Sequence, residues 1–441
     1  TLNTDEDSGA SFDFYYSLTG NTDVQFGGKI RQREKLNDLI FCAYEPVNDI
    51  NLSSVNFVTP NQFLNTVAGP TASFDQVKGF IPRLGSGSAS LSDGSTCQSP
   101  GPEFEFSGDE NEESIPADWV TEEDVMSAYA MATTTTDNAT WVYGLRYEDT
   151  DTTYRGKAFD GGFAGFTRFE NNYDFFAPSV NVKFDVADDR VVRVGLFRSL
   201  VRPGFQESNA GAIVDTEDNE IEGGNPNLDP TTAWNFDVTY EWYLGQGTFF
   251  GAGLFYKAID DAIVEVESTD TVFRGQQYRV AGTFINTDDA DIRGFELSFQ
   301  KAWDNGLLFV ANYTLTDGET DLPTDAVNGQ RTIPFFKQAK HTGNVSFGYD
   351  LGAWDVRLAG NYRSKFLDEI GDEPIVDRYT DDFFQIDLTA RYELSENILL
   401  TAEVLNLNDR PEYYYFGNPG RLSQYDEYGT TFGMGMRYTF Q

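Results

Sequence analysis

Histidine is almost absent: His341 is the only one in 441 residues. A serine or cysteine nucleophile would have this single imidazole to serve as its base, so hydrolytic chemistry has little to draw on. Cysteine stops at two, Cys42 and Cys97, and with one histidine a four-ligand zinc site cannot be assembled. Basic residues are scarce, Lys+Arg 31 against Asp+Glu 71, for a formal net charge of −40. Nucleic acid selects basic surfaces and is excluded as a partner. No run approaches the ~18 consecutive apolar residues of a membrane-crossing helix, a fact that leaves strands untouched. No phosphate-cradling glycine loop and no strand–turn–helix nucleophile elbow appears, so the reading is of a non-enzyme without a cofactor. No signal peptide opens the sequence, which reads as mature or truncated.

What is present is alternation. Phe384, Ile386, Leu388, Ala390, Tyr392 and Leu394 interleave with Gln385, Asp387, Thr389, Arg391 and Glu393. After Ser395-Glu396-Asn397 the period resumes at Ile398, Leu400, Ala402 and Val404, and again at Phe432, Met434, Met436, Tyr438 and Phe440. Successive strand side chains face opposite sides, so these are strands with one apolar and one polar face. Each run is about as long as a tilted strand needs to cross a bilayer, and short turns alternate with long connections. The expected fold is all-β, a transmembrane antiparallel β-barrel spanning 1–441. A mean hydropathy of −0.43 fits, because such a wall shows lipid only every second residue.

Taken in order, Phe12–Leu18 and the Val24, Phe26, Gly28, Ile30 series read as a hairpin, with Gln25, Lys29, Arg31 and Arg33 opposite. From 36 to 122 the pattern dissolves into Ser, Gly, Pro, Asn and acidic residues, the signature of a long extracellular loop. It holds both cysteines, and in an oxidising location the pair reads as a disulfide, Cys42–Cys97. Strands resume at Val125–Thr135, Trp141–Tyr147, Phe176–Phe184 and Val192–Leu196. A long connection covers 202–230, and an aromatic strand follows from Trp234 to Trp242. The glycine-rich strand ending at Tyr256 leaves its facing open. One long strand is expected over Phe284–Trp303, then a turn at Asp304-Asn305-Gly306. Strands at 341–350 and 353–364 precede the closing unit. The count is about fifteen, and single-chain bacterial barrels have an even number. Strand parity places the start of the chain just after an outer loop, so an N-terminal part with at least one strand is expected to be absent; a closed fifteen-stranded barrel is the alternative.

Several stretches together resemble TonB-dependent outer-membrane receptors. They are Arg202-Pro203-Gly204-Phe205 with Gly223-Gly224-Asn225-Pro226-Asn227-Leu228-Asp229-Pro230, then Ile292-Arg293-Gly294-Phe295-Glu296-Leu297. Val404-Leu405-Asn406-Leu407-Asn408-Asp409 and Gly435-Met436-Arg437-Tyr438-Thr439-Phe440 complete the set. The resemblance covers roughly 125–441. It implies the last fifteen of 22 strands, a Gram-negative outer-membrane location, and a plug and TonB-contacting region that these residues do not contain. It also implies import of a scarce small-molecule nutrient, with membrane lipid and lipopolysaccharide around the wall and a surface lipoprotein as a further partner.

For the ligand, the loop bearing Tyr413, Tyr414, Tyr415, Phe416, Arg421 and Tyr425 sets aromatic faces beside hydrogen-bonding groups. Aromatic faces stack on sugars and ring ligands while polar groups fix orientation; the same density also suits a girdle or loop packing. Phe335, Phe336 and Arg331 form a second candidate set. The tyrosine-rich pattern is similar to receptors associated with carbohydrate uptake, so an oligosaccharide is the first expectation. An iron–siderophore receptor and a passive porin or attachment barrel are the alternatives. Asp149/Asp151, Asp215/Glu217/Asp218 and Asp288/Asp289/Asp291 could gather calcium, but none has EF-hand spacing, and solvated loop charge is the simpler reading. No metal site is assigned.

Overall fold

The computed structural model describes residues 2–47, 87–90, 94–102, 104–106, 114–215, 220–273, 276–287, 289–322, 331–371 and 373–440, with the backbone of four two-residue strands between 57 and 72. Its largest sheet has 20 strands. Five of them sit inside connections: Ala212–Asp215, Glu220–Gly223, Ile263–Phe273, Gln276–Asn286 and Arg331–Pro334. The remaining fifteen, 20 − 5, form the ladder.

In chain order these are β1 (Leu2–Thr19), β2 (Thr22–Asp38), β3 (Trp119–Thr135), β4 (Ala139–Phe159) and β5 (Phe163–Ala187). Next come β6 (Arg190–Val201), β7 (Thr231–Tyr243), β8 (Thr248–Asp260), β9 (Ala290–Ala302) and β10 (Leu307–Leu322). The last five are β11 (His341–Leu351), β12 (Trp354–Arg363), β13 (Phe383–Ser395), β14 (Ile398–Leu405) and β15 (Thr431–Tyr438). Each pairs antiparallel with its chain neighbours. Apart from the three-residue tip between β4 and β5, short turns and long connections alternate, so the long connections gather at one end.

The two faces separate by chemistry. Leu196, Trp234, Phe236, Leu254, Phe347, Leu358, Phe384 and Met434 are exposed large apolar side chains, all on the outward alternates. In water so broad an exposed apolar wall would drive association; in lipid it is at rest. Cross-strand aromatic pairs mark the wall's height. Trp141–Phe184 (5.8 Å), Phe309–Phe347 (5.0 Å) and Trp354–Tyr392 (4.4 Å) lie toward the short turns. Tyr147–Phe176 (4.8 Å) and Phe295–Tyr313 (5.8 Å) lie toward the long connections. Such pairs each add about 0.5–1.5 kcal/mol beyond burial, and their amphipathic rings suit the lipid–water boundary. The Asp304-Asn305-Gly306 turn closes through the Trp303 amide donating to the Leu307 carbonyl at 2.9 Å. Gly306 takes φ 84°, which a side chain would resist.

Three expectations change. The strand read as Phe284–Trp303 is interrupted: Gln276–Asn286 pairs with Ile263–Phe273 as a hairpin in the connection, and β9 begins only at Ala290. Between 147 and 176, where no strand was assigned, β4 and β5 run on as a long hairpin to a tip at 160–162. The ladder also reaches into both ends of 36–122, to Asp38 and from Trp119. The facing of β8 is settled by exposure: Leu254 and Tyr256 are outward, while Gly251 and Ile259 are buried on the inner alternates. Cys42 and Cys97 are disulfide-bonded, closing a separation of 55 residues.

Candidate functional site

The long-connection end carries two assemblies. In the first, Phe366–Glu369, Arg378–Thr380, Glu412–Phe416 and Leu422–Asp426 make a separate four-stranded sheet from the connections after β12 and β14. The tyrosine-rich loop is its hairpin, with Tyr413 opposite Tyr425. Its aromatics are committed to the protein. Tyr415 is 1% exposed and stacks on Tyr379 at 5.7 Å. The Tyr413 hydroxyl donates to the Pro419 carbonyl at 2.8 Å. Arg378 lies 4.7 Å over the Tyr414 ring. Burial, then the Glu412 carboxylate that its hydroxyl contacts at 3.1 Å, pushes the Tyr414 phenol up to about 12. The Phe416 amide donates to the Arg421 carbonyl at 2.9 Å, and the Arg421 guanidinium donates to the Ile375 carbonyl.

Arg331 is likewise engaged. Its guanidinium forks onto Asp377 with two 2.8 Å bonds and donates a third, also 2.8 Å, to the Gly371 carbonyl. Asp377 is 3% exposed. This geometry ties the connection after β10 to the connection after β12. His341 joins the outer aromatic band, its Nδ1 2.7 Å from the Tyr313 hydroxyl and the rings 6.1 Å apart.

The second assembly is a cavity of about 640 Å³ on the inner wall, spanning β6 to β10 and the connection that follows. Phe335 and Phe336 form its aromatic edge, stacked at 5.1 Å. Each is held by a different small core. Phe335 packs against Ile259, Ala262, Ala290 and Ile292. Phe336 packs against the group containing Val264, Leu322 and Leu367. A neighbouring cavity of about 470 Å³ shares Glu207, Ile263 and Phe336. Ligand pockets typically fall between 300 and 1,000 Å³ and combine an apolar wall with a few polar groups.

The polar groups come from alternation. Asp237 on β7, Lys257 on β8, Glu296 on β9 and Thr314 on β10 all take inner positions and line the larger cavity. Phe255 reaches it because Gly294, directly opposite in the register, leaves room for its ring. Arg202 and Glu207 arrive from the connection after β6. The Arg202 guanidinium turns back to Glu148 at 2.6 Å and Glu123 at 3.6 Å, anchoring that connection to β3 and β4. The Glu207 carboxylate accepts the Gly204 amide at 2.6 Å.

Of the sequence-derived candidates, Phe335 and Phe336 therefore line a cavity. The tyrosine cluster lies in the loop sheet, and Arg331 is a clamp between connections. Lys257 and Glu296 were not singled out; knowing the facing of β8 and reading Gly294-Phe295-Glu296 as an inward-outward-inward run would have found them. Among the described residues no group of three or more His, Cys, Asp or Glu is gathered to hold a metal. Glu217, Asp218 and Asp288 lie outside the described residues.

A lipid-facing outer wall, a polar inner wall and long connections at one end define a β-barrel of the Gram-negative outer membrane. The sequence profile of the TonB dependent receptor-like, beta-barrel family matches residues 1–407, and the chain belongs to that family. The chain is 23% identical over 265 residues to the iron-regulated outer membrane virulence protein of Vibrio cholerae serotype O1 (strain ATCC 39315 / El Tor Inaba N16961). That match covers 57% of this chain and 38% of the relative, so well under half of the curated relative is spanned. Among solved structures, the ferric yersiniabactin uptake receptor FyuA from Yersinia pestis aligns with a TM-score of 0.61 at 13% identity, covering 99% of this chain and 54% of that one. The copper transporter OprC aligns at 0.60 and 12%, covering 99% and 57%. At these identities the likeness is one of fold.

Proposed function

We propose that the receptor containing this chain imports a small metal chelate, an iron complex first, across the outer membrane. Release inward would use energy transmitted by TonB. The observation that carries this reading is the cavity edged by Phe335 and Phe336, of a size for a compact ring-bearing ligand, on the inner wall at the long-connection end. The similar proteins support it: one is described as iron-regulated, others as a ferric yersiniabactin uptake receptor and a copper transporter. An oligosaccharide is the second reading, and it drew on the tyrosine-rich loop. Stacking of Tyr415 on Tyr379 and of Arg378 over Tyr414 leaves that loop little free aromatic face for sugar. Lipid and lipopolysaccharide around the apolar wall, and a lipoprotein over the mouth, complete the proposal.

The test is uptake of radioactive iron chelates by iron-starved cells with and without the full-length gene, repeated after collapsing the proton-motive force. Energy-dependent uptake that requires the gene supports the reading. Gene-dependent uptake of a maltodextrin series with no chelate transport would replace it by the oligosaccharide. Uptake unaffected by uncoupling would favour a passive pore.

A further inference from the structure

The wall opens along a seam between β5 and β6. These strands pair from Ala187 opposite Arg190 up to Ser179 opposite Phe197, and no rung joins them above that. Yet β5 stays paired with β4 as far as Phe163, and β6 stays paired with β7 as far as Val201. Pro178 stands at the first missing rung. Asp185 donates its amide to the Asn138 carbonyl on the β4 side. In the unbroken register the even-numbered residues of β5 therefore turn their amides toward β6. Proline has no amide to turn, and the pairing stops there. Above it Arg168, Glu170, Asn172, Asp174 and Phe176 aim N–H and C=O groups into the seam, with no strand opposite them among the described residues. The edge over 167–178 is roughly 35 Å long.

The other edge of the same hairpin is treated differently. Where β4 rises past β3, Ala212–Asp215 pairs with Ala158 and Phe159 and covers it. Behind the seam the connection after β6 seals the inner face. The Thr167 hydroxyl donates to the Ala210 carbonyl, and the Asn171 amide group donates to the Leu228 carbonyl at 3.0 Å. The opening therefore faces sideways and outward, above the aromatic pair Tyr147–Phe176. An uncovered edge of this length is a template for another strand. The outward side chains say which kind. Asp149 and Asp174 stand directly opposite each other, with Asp151 next above on the same face. Like charges so placed destabilise one another. Arg168 is spent on Glu170 at 2.7 Å. A strand added here would set its alternate side chains beside Asp174, and basic ones would relieve the repulsion.

We propose that the β5 edge over 167–178 is a strand-addition site for an extended segment of a partner protein outside the cell, with lysine or arginine at alternate positions. The unpaired backbone supplies the attachment, and Asp149, Asp151 and Asp174 supply the preference for charge. The site lies on the outer flank of the wall, so it stands apart from whatever ligand the receptor imports.

The probe is a short peptide alternating threonine and lysine, long enough to span the edge, offered to the full-length receptor in single-copy lipid nanodiscs. Two controls accompany it: the same peptide N-methylated at two adjacent central residues, and its threonine–glutamate twin. N-methylation removes backbone donors and leaves the charge alone. The lysine peptide should bind about tenfold tighter than either control. Hydrogen exchange should slow over 167–178 only when it is bound. Asn172→Pro removes an amide aimed at the seam and keeps the β4 rung, so it should erase the advantage over the N-methylated peptide. In the Asp149→Asn/Asp174→Asn variant the advantage over the glutamate twin should fall below about threefold. These two carboxylates are on the surface, and this variant decides the matter should the proline variant fail to fold. An unchanged advantage there overturns the proposal. Equal binding of the lysine peptide and its N-methylated form overturns it, as does no binding or protection confined to other segments. Slow exchange over 167–178 in the receptor alone overturns it too, since the chain's own residues would then fill the seam.

Discussion

Replacing Arg331 by methionine should loosen the mouth and leave the wall intact. The guanidinium makes two 2.8 Å bonds to Asp377 and one to the Gly371 carbonyl. The two side chains are 17% and 5% exposed. Without Arg331 the Asp377 carboxylate keeps the Gly371 amide, at 3.0 Å, as its remaining donor. Removing one partner of a buried ion pair costs about 3–5 kcal/mol, chiefly because the other charge stays buried and uncompensated. The residual exposure of Arg331 lets water in, so the lower end applies. About 3 kcal/mol raises the open fraction of the clamped segment on the order of a hundredfold. Hydrogen exchange of peptides from 366–380 in a lipid nanodisc reads this directly, with peptides from β7 and β8 as the unaffected reference. Arg331→Lys should recover only part of the protection, since one ammonium cannot reproduce a planar fork. Arg331→Met combined with Asp377→Leu should recover more than either single change. Unchanged exchange in Arg331→Met, together with a fall in ligand affinity, would refute the clamp and make Arg331 a ligand-contacting residue.

Leu254→Arg on the outward face of β8, where leucine is 63% exposed, should cost about 2–4 kcal/mol of folding into lipid vesicles, read by urea titration. A neutral outcome would put Leu254 in water. Exchanging both Cys42 and Cys97 for serine releases a 55-residue separation and should destabilise that connection by roughly 4 kcal/mol, seen as rapid protease nicking between 39 and 118 with the ladder still protected. Asp261, at φ 59°, has its carboxyl pushed above the usual range by burial and by Asp229, Asp260 and Asp289. Its folded pKa lies above the unfolded one, so the charged form opposes folding at high pH and this cost fades as pH falls through the folded value. Asp261→Asn, which tolerates the same φ, should therefore protect the 261–289 connection by on the order of 0.3 kcal/mol at pH 8 and by nothing at pH 3. Equal protection at both pH values would refute this account.

The sequence showed the wall where the wall meets lipid, and the reason is physical. Lipid on one side and water on the other force hydropathy to alternate at every second residue, as in Phe384 to Leu394. Above the aromatic band that contrast disappears. In β4 the inner alternates Thr150, Thr152, Tyr154 and Ala158 are buried, yet by the connection after β6 and not by lipid. A polar residue such as threonine serves there as well as an apolar one, so no period marks the strand.

The site divides along a similar line. Aromatic density announced both the tyrosine loop and the Phe335–Phe336 pair, because large rings anywhere must pack on something. Density does not say on what. Tyr415 packs on Tyr379, whereas Phe335 and Phe336 split between two cores and expose their shared edge to the cavity. Lys257 and Glu296 were hidden by a different ambiguity. Gly251, Ala252 and Gly253 carry too little side chain to show which alternates of β8 face inward, and the opposing Gly294 has none. Yet those glycines create the space. A methyl on Gly294 would meet Phe255 at 2.5 Å and the Leu315 carbonyl at closer range, which would push the ring toward the cavity. The residues that erase the strand's signature are the ones that leave room for the cavity and for the Phe255 ring that lines it.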